Sequence, residues 1–301
     1  MDETEFIWMD GELVPWKEAK IHVLTHTLHY GAGVFEGERF YETDKGPVIF
    51  RLKDHTDRLF RSAEAFEMKI PFTKEEINKA TIETIKANKV NSGYIRPIAF
   101  FGYGKMGLNP EGADINVAIA VWPWGSYLGE AAIKVKIPDI IRIHPKTTDP
   151  DAKICGNYAN SILASLEIKK AGYDEALLLD YKGMISEGPG ENFFIVTGGK
   201  IYTPKLGTIL PGITRKSIIQ IAKDEGIELI EKDLTVEEAK NAQEVFFSGT
   251  AAEVTAIKQI DDTVIGDGKI GPITTKLKNI FMDVVHGKNN KYEHWLTYVN
   301  E

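Results

Sequence analysis

Cysteine is almost absent, with Cys155 the only one in the chain. That excludes an internal disulfide and a cysteine metal cage, and it fits a reducing compartment such as the cytoplasm. Long apolar runs are missing too. The longest, such as Val117 to Trp122, fall far short of the roughly 20 residues a bilayer-spanning helix needs. No membrane association is expected. Positive charge is in deficit, with 36 Lys and Arg against 44 Asp and Glu and no basic stripe. Broad nucleic-acid binding is therefore not expected, although a few placed arginines suffice for small acidic ligands. The first five residues, Met1-Asp2-Glu3-Thr4-Glu5, are acidic, the opposite of a signal peptide, so the chain is expected to stay in the cytoplasm. Repeats and low-complexity stretches are also lacking.

What remains is an ordinary globular composition, 43% hydrophobic and 27% charged over 301 residues, which suits two domains. Ile7 to Val14 reads as a hairpin around Asp10-Gly11, a strong turn signal. His29 to Gly37 reads as an irregular, glycine-containing segment. Thr56 to Phe66 and Lys74 to Lys89 carry helical apolar spacing, and Tyr94 to Gly102 and Ile115 to Trp122 are strand-like. Residues 1–122 then form a small α/β domain. The Pro- and Gly-containing stretch 123–131 is a connector. Residues 132–301 form a larger, β-rich domain. Its expected strands are Ile133 to Ile137, Glu175 to Asp180, Glu191 to Thr197, Lys200 to Thr203, Glu228 to Leu234 and Glu244 to Ser248. Its expected helices are Tyr158 to Ala171, Thr214 to Glu225, Val236 to Ala242 and Thr274 to His286.

Several stretches carry chemistry, each beside a plainer reading. Gly31-Ala32-Gly33-Val34-Phe35-Glu36-Gly37 invites a dinucleotide loop, but its third glycine falls in the wrong place and no clean strand precedes it. A tight turn explains it better. His22, His26 and His29 would share a face if helical. With no acidic or cysteine partner nearby in sequence, local packing is preferred to metal. Pro211-Gly212-Ile213-Thr214 reads as a loop entering a helix, where free N–H groups favour a phosphate or Thr214 simply caps. Ser248-Gly249-Thr250-Ala251-Ala252 follows a buried strand, either a ligand cradle or a tight strand-to-helix turn. Glu187 and Glu191 stand among glycines, facing a cationic atom or solvent. Lys153 precedes Ile154-Cys155-Gly156-Asn157-Tyr158. Desolvated, its amine would be nucleophilic; otherwise it is a surface lysine.

At Lys153 to Tyr158, Ile185 to Asn192, Leu210 to Thr214 and Ser248 to Glu253 the chain resembles the branched-chain aminotransferases of the fold-type-IV pyridoxal-phosphate (PLP) family. Tyr30-Gly31, Phe35-Glu36-Gly37, Arg39, Arg58-Leu59, Tyr94-Ile95-Arg96-Pro97, Met106-Gly107-Leu108-Asn109-Pro110 and Trp124-Gly125-Ser126-Tyr127-Leu128-Gly129 agree in order. Ala256 departs, standing where many relatives carry proline.

The resemblance implies an α/β (α+β) fold of two domains, the second a β-rich pseudo-barrel, with PLP between them. It implies a homodimer or higher assembly. Lys153 becomes the lysine that forms a Schiff base with PLP and shuttles a proton. Glu187 becomes the partner of the pyridine nitrogen, and Tyr158 the phenol on the ring hydroxyl. Arg58, Ile213, Thr214 and Thr250 are implied to hold the phosphate. Tyr94 and the N–H groups of Ala251 and Ala252 resemble the α-carboxylate site. Tyr30, Phe35, Leu108, Trp124 and Tyr127 would wall an apolar pocket, and Arg96 would receive the distal carboxylate of glutamate. The expected partners are small amino acids and 2-oxo acids. D-amino-acid aminotransferases, amine transaminases and aminodeoxychorismate lyases share Lys153, Glu187 and the phosphate residues, but Tyr94 to Pro97 and Gly249 to Ala252 favour the branched-chain reading. A non-catalytic binding protein on this fold would not need Lys153, Glu187 and Arg58 together.

Overall fold

Asp10 and Gly11 both take positive φ, 51° and 107°, which lets a two-residue turn close the hairpin of β1 (Phe6–Met9) and β2 (Glu12–Pro15) with Met9 opposite Glu12. In this computed structural model, which describes residues 2–125, 128–129 and 131–301, the chain divides into two units. The first comprises Met1–Gly125, Ala152–Asn157 and Val284–Glu301; the second comprises Ser126–Asp151 and Tyr158–Asp283.

The first unit continues with α1 (His26–Tyr30), β3 (Gly33–Phe35), β4 (Glu38–Tyr41), β5 (Val48–Phe50), α2 (Leu52–Glu64), α3 (Lys74–Asn88), β6 (Gly93–Phe101) and β7 (Ile115–Trp122). Thr73 and Glu76 start α3 with a reciprocal capping box. The segment read as irregular from sequence thus holds a short helix and a strand. Short three- and four-residue strands give too little alternation to be read.

β3 and β4 run along one edge of β6, with Phe35 opposite Ile98 and Glu38 opposite Ile95. Because side chains alternate along strands, Phe35, Arg39, Tyr94 and Arg96 share one face. Glu36, Glu38 and Ile95 take the other, against α2. The α2 helix turns a buried stripe, His55, Arg58, Leu59 and Ser62, toward that face. The other edge of β3 receives the lysine segment: Val34 bridges Ile154, and the Phe35 N–H donates to the Lys153 carbonyl at 3.1 Å. These bonds bring 152–157 into the first unit.

The second unit holds β8 (Ile133–Lys136), α4 (Tyr158–Lys170), β9 (Glu175–Ala176), β10 (Asn192–Thr197), β11 (Lys200–Thr203), α5 (Ile213–Asp224), β12 (Leu229–Glu231), α6 (Val236–Lys240), β13 (Glu244–Gly249), β14 (Glu253–Ile260) and β15 (Thr263–Val264), followed by α7 (Pro272–Val285), whose last two residues return to the first unit. Its sheet runs β12-β11-β10-β13-β14-β8-β9. The rings of Phe194 and Phe246 stack at 4.8 Å, and β10 and β13 are buried almost throughout. Ser248 to Ala252 turns into β14 rather than into a helix, with Gly249 opposite Glu253. Near the C-terminus, β16 (Leu296–Tyr298) closes the first sheet by pairing with β5. No helix among the described residues is long and apolar enough to cross a membrane.

Candidate active site

In the first unit the site is built around the Lys153 amine. Its backbone N–H donates to Ser62 Oγ at 3.0 Å. Three residues on, the Gly156 N–H donates to the Gly31 carbonyl at 3.1 Å. Gly31 has no Cβ, and one placed there would lie 2.8 Å from the Gly156 Cα. The lysine segment can approach only because that atom is missing. Lys153 as a whole is half-buried, but protein packs closely round its amine. Burial, then the nearby Arg58 cation, lower the amine's pKa to about 8, against the opposing pull of Glu36 and Tyr94.

Beneath the amine lies a buried charge pair. Arg58 donates from Nε to Glu36 Oε1 at 2.6 Å and from Nη2 to Oε2 at 2.8 Å, a bidentate clamp. His55 Nδ1 stands 2.7 Å from Oε2. An ionised carboxylate cannot donate, so His55 carries its proton on Nδ1. Burial opposes a charge on Glu36, but Arg58 and His55 outweigh it and hold the carboxyl well below its usual range. Burial pushes His55 down. Glu38, two residues along on the same face, is pushed well up by burial and then by Glu36. Its Oε2 has no hydrogen-bond partner among the described residues.

On the opposite face of the sheet the amine stands 4.8 Å over the Phe35 ring, and the Arg96 guanidinium lies 4.9 Å from that ring and 5.3 Å from Tyr94. Arg96 Nε is buried without a hydrogen-bond partner among the described residues. Trp124 meets Tyr94 edge-on at 4.5 Å. Arg39 holds the Trp124 backbone, donating to its carbonyl at 3.0 Å. Gly37 leaves room for the Tyr94 hydroxyl, which a Cβ there would strike. Phe35, Tyr94, Arg96, Trp124, Lys153 and Arg58 are thus assembled around two faces of one sheet. Tyr30 packs on His26 instead, at 4.6 Å, and is 41% exposed. Leu108 is 87% exposed, on the loop between β6 and β7. Tyr127 lies outside the described residues. The histidines take separate partners: His22 packs on Tyr103 at 4.4 Å, His26 Nε2 lies 2.8 Å from the Gly107 carbonyl, and His29 Nε2 lies 2.9 Å from that of Val23. Only the last two are on α1.

In the second unit Glu187 is fixed rather than solvated. Oε1 accepts from Arg142 Nε at 2.7 Å, Oε2 from Asn192 Nδ2 at 3.0 Å, and the Leu210 N–H reaches both oxygens. Gly212 leaves space for the Asn192 side chain, which a Cβ there would strike. Glu191 is also buried, its Oε2 accepting from the Gly190 N–H at 3.1 Å. Both carboxylates therefore depart from the solvent-turn reading. Gly212 caps α5 without a side-chain hydrogen bond, leaving the N–H groups at Ile213 and Thr214 to an anion. Thr250, Ala251 and Ala252 form the turn between β13 and β14. Tyr158 is half-buried at the start of α4.

Sequence reasoning missed Glu36, His55, Ser62, Arg142 and Asn192. A spacing of three and four residues on α2, His55, Arg58, Ser62, was the available signal for His55 and Ser62. Arg142, in an irregular stretch, offered none. The residues fit pyridoxal phosphate by their chemistry: a desolvated amine with lowered pKa, a buried carboxylate with three donors, and an uncapped helix start.

The Amino-transferase class IV family matches residues 33–260. The branched-chain-amino-acid aminotransferase of Pseudomonas aeruginosa is 48% identical, covering 99% of this chain and 98% of that one. A solved structure of the T.th. branched-chain amino acid aminotransferase with pyridoxamine 5'-phosphate is 45% identical, with TM-score 0.97 and full coverage of both chains. Another of that enzyme, complexed with N-(5'-phosphopyridoxyl)-L-glutamate, is 44% identical with TM-score 0.96 and full coverage of both.

Proposed function

Because the chain belongs to the class IV aminotransferases, and within them to the branched-chain-amino-acid aminotransferases, we propose that it transfers amino groups reversibly between leucine, isoleucine or valine and 2-oxoglutarate, with pyridoxal 5'-phosphate as cofactor. One observation carries the substrate assignment: a single aromatic ring, Phe35, stands beside both the Lys153 amine and the Arg96 guanidinium. An apolar side chain can lie on that ring, and a carboxylate can reach the cation beside it. The two opposite substrates of such a transaminase need both.

When bound, PLP supplies an aldehyde to hold the amino group and a ring to take up the electron pair left at the substrate Cα. Lys153 holds the cofactor. Its Nζ, with pKa about 8, is part neutral near that pH, so it can accept the Cα proton and release it again. Glu187 supplies negative charge to the pyridine nitrogen, and Tyr158 bonds the ring hydroxyl. Arg58, Ile213, Thr214 and Thr250 hold the phosphate. Tyr94, Ala251 and Ala252 orient the α-carboxylate, Arg96 takes the distal carboxylate, and Phe35, Trp124, Tyr30, Tyr127 and Leu108 exclude water.

The lone cysteine supports a cytoplasmic enzyme. Apolar side chains left open on the first unit, among them Val23, Leu28, Met106 and Leu108, support a homodimer or higher assembly in which Tyr30 and Leu108 are covered. The test is an amino-donor screen with both enantiomers of leucine and alanine and 2-oxoglutarate as acceptor. L-leucine should be the better donor by far. Preference for a D-enzyme substrate, or no turnover by a yellow, PLP-loaded protein, overturns the reading.

A further inference from the structure

We propose that Glu36, braced by His55, is a positioning residue for Lys153: it fixes the Arg58 guanidinium and cancels its charge beside the lysine amine. The inference rests on the reading above only for its catalytic consequence.

The geometry is that of a support under the site. Glu36 uses both oxygens on Arg58 and one on His55, and it is wholly buried. The same helix that carries His55 and Arg58 carries Ser62, which receives the Lys153 backbone N–H. One rigid element therefore sets both the lysine backbone and the cation near its amine.

The charges around the amine make Glu36 distinctive. Arg58 and Arg96 are cations. Burial keeps the Cys155 thiol neutral, its pKa pushed up to about 11. Burial and Glu36 keep Glu38 protonated, and burial keeps His55 neutral. Among the described groups acting on the amine, Glu36 is the ionised carboxylate. Without it, two guanidiniums would press the amine further toward neutrality, and Arg58 would lose the clamp that aims it.

A merely structural salt bridge would stabilise the fold without setting the amine's acidity. Competitive acetylation with acetic anhydride across a range of pH, read by mass spectrometry on the Lys153 peptide, measures that acidity directly. It should be run on the full-length chain, stripped of cofactor and also loaded with pyridoxamine 5'-phosphate, which leaves the lysine uncombined. E36Q should lower the Lys153 pKa from about 8 to about 7 in both states, roughly a fivefold rise in neutral, reactive amine at pH 7. H55Q should shift it in the same direction but less. R58M should raise it, and E36Q added to R58M should lower it again by about as much as E36Q lowers it in the wild type, because the two charges act on the amine additively. An unchanged pKa in folded E36Q, or in E36Q/R58M compared with R58M, overturns the proposal. If E36Q does not fold, the charge-balanced E36Q/R58M chain compared with R58M carries the same test. Borohydride reduction of the PLP-loaded chain separately checks the underlying reading: a pyridoxyl label away from Lys153 sinks that reading and leaves the acidity measurement standing.

Discussion

Gly31→Ala should be the most damaging glycine substitution around the lysine segment. Gly31 ends α1 with φ +66°, a conformation that costs a residue with a Cβ about 1–2 kcal/mol. The new Cβ would also sit 2.8 Å from the Gly156 Cα and 3.2 Å from its nitrogen. Both are backbone atoms, which cannot rotate away as a side chain would. The segments must separate, and the hydrogen bond from Gly156 to Gly31 then goes, worth about 1 kcal/mol. The total is roughly 2–3 kcal/mol, with Lys153 displaced three residues from the break. Gly172→Ala is the control, since it has φ +80° and open space at its Cβ; it should show the conformational cost alone. Gly156→Ala is a second control, because its Cβ would come no closer than 3.4 Å to any atom. Urea denaturation should rank the losses Gly31 first, Gly172 next and Gly156 last, and PLP uptake should fall only in Gly31→Ala. If Gly31→Ala costs no more than Gly172→Ala, the close approach does not hold the lysine segment.

Arg96→Ala should reduce efficiency with glutamate or 2-oxoglutarate by about 10- to 150-fold, from a charge-assisted bond of roughly 1.5–3 kcal/mol, with leucine far less affected; single-turnover half-reactions followed by cofactor absorbance would show it, and equal losses would make Arg96 an α-carboxylate receptor. Glu187→Gln should slow proton transfer more than binding and, by stranding the buried Arg142, also cost about 3–5 kcal/mol of stability; Glu191→Gln should be milder by both stopped-flow and denaturant titration. Lys153→Met should stabilise the cofactor-free chain at neutral pH. The sign follows from proton uptake: between about 8 and the usual 10.5 the unfolded lysine binds more protons than the folded one, so wild-type stability rises with pH through that window. The advantage of Lys153→Met should therefore shrink from pH 8 upward in urea midpoints, and a constant advantage would mean the amine is not desolvated.

Much of this was legible because the strongest elements follow local rules. Asp10-Gly11 can hardly be anything but a hairpin turn, and β7 and β11 appear where alternation and Gly198-Gly199 place them. The long helices α2, α3, α4, α5 and α7 were readable to within a few residues, α2 and α7 starting earlier than their apolar periodicity suggests. β14 was missed since burial on both faces erases alternation. Expected strand 175–180 shortens to two residues, because Leu179 instead bridges Ile185 across the turn at Tyr181 to Gly183. In the site, motif resemblance picked out Lys153 among many lysines, but it could not reveal what supports it. Ser62 lies 91 residues from Lys153 and Arg142 lies 45 from Glu187. Neither distance leaves a local signature.

Two buried carboxylate–guanidinium pairs remain to be explained together, Glu36 with Arg58 and Glu187 with Arg142. Stability alone is a poor reason for either, because desolvating two ions offsets most of their attraction. Their arrangement suggests opposite uses. In the first, a carboxylate sealed from solvent and shared with His55 serves an arginine, leaving that arginine near the amine with its charge balanced. In the second, the arginine is joined by Asn192 and the Leu210 N–H in serving a carboxylate, so that Glu187 cannot turn. Exchanging the members of either pair would keep its net charge and defeat its use. A Glu36→Arg, Arg58→Glu double variant should therefore lose phosphate-dependent PLP retention even if it folds, measured as the rate of cofactor loss on dialysis. Retention at the wild-type rate would show that only the balance of charge matters there, not which group faces the lysine.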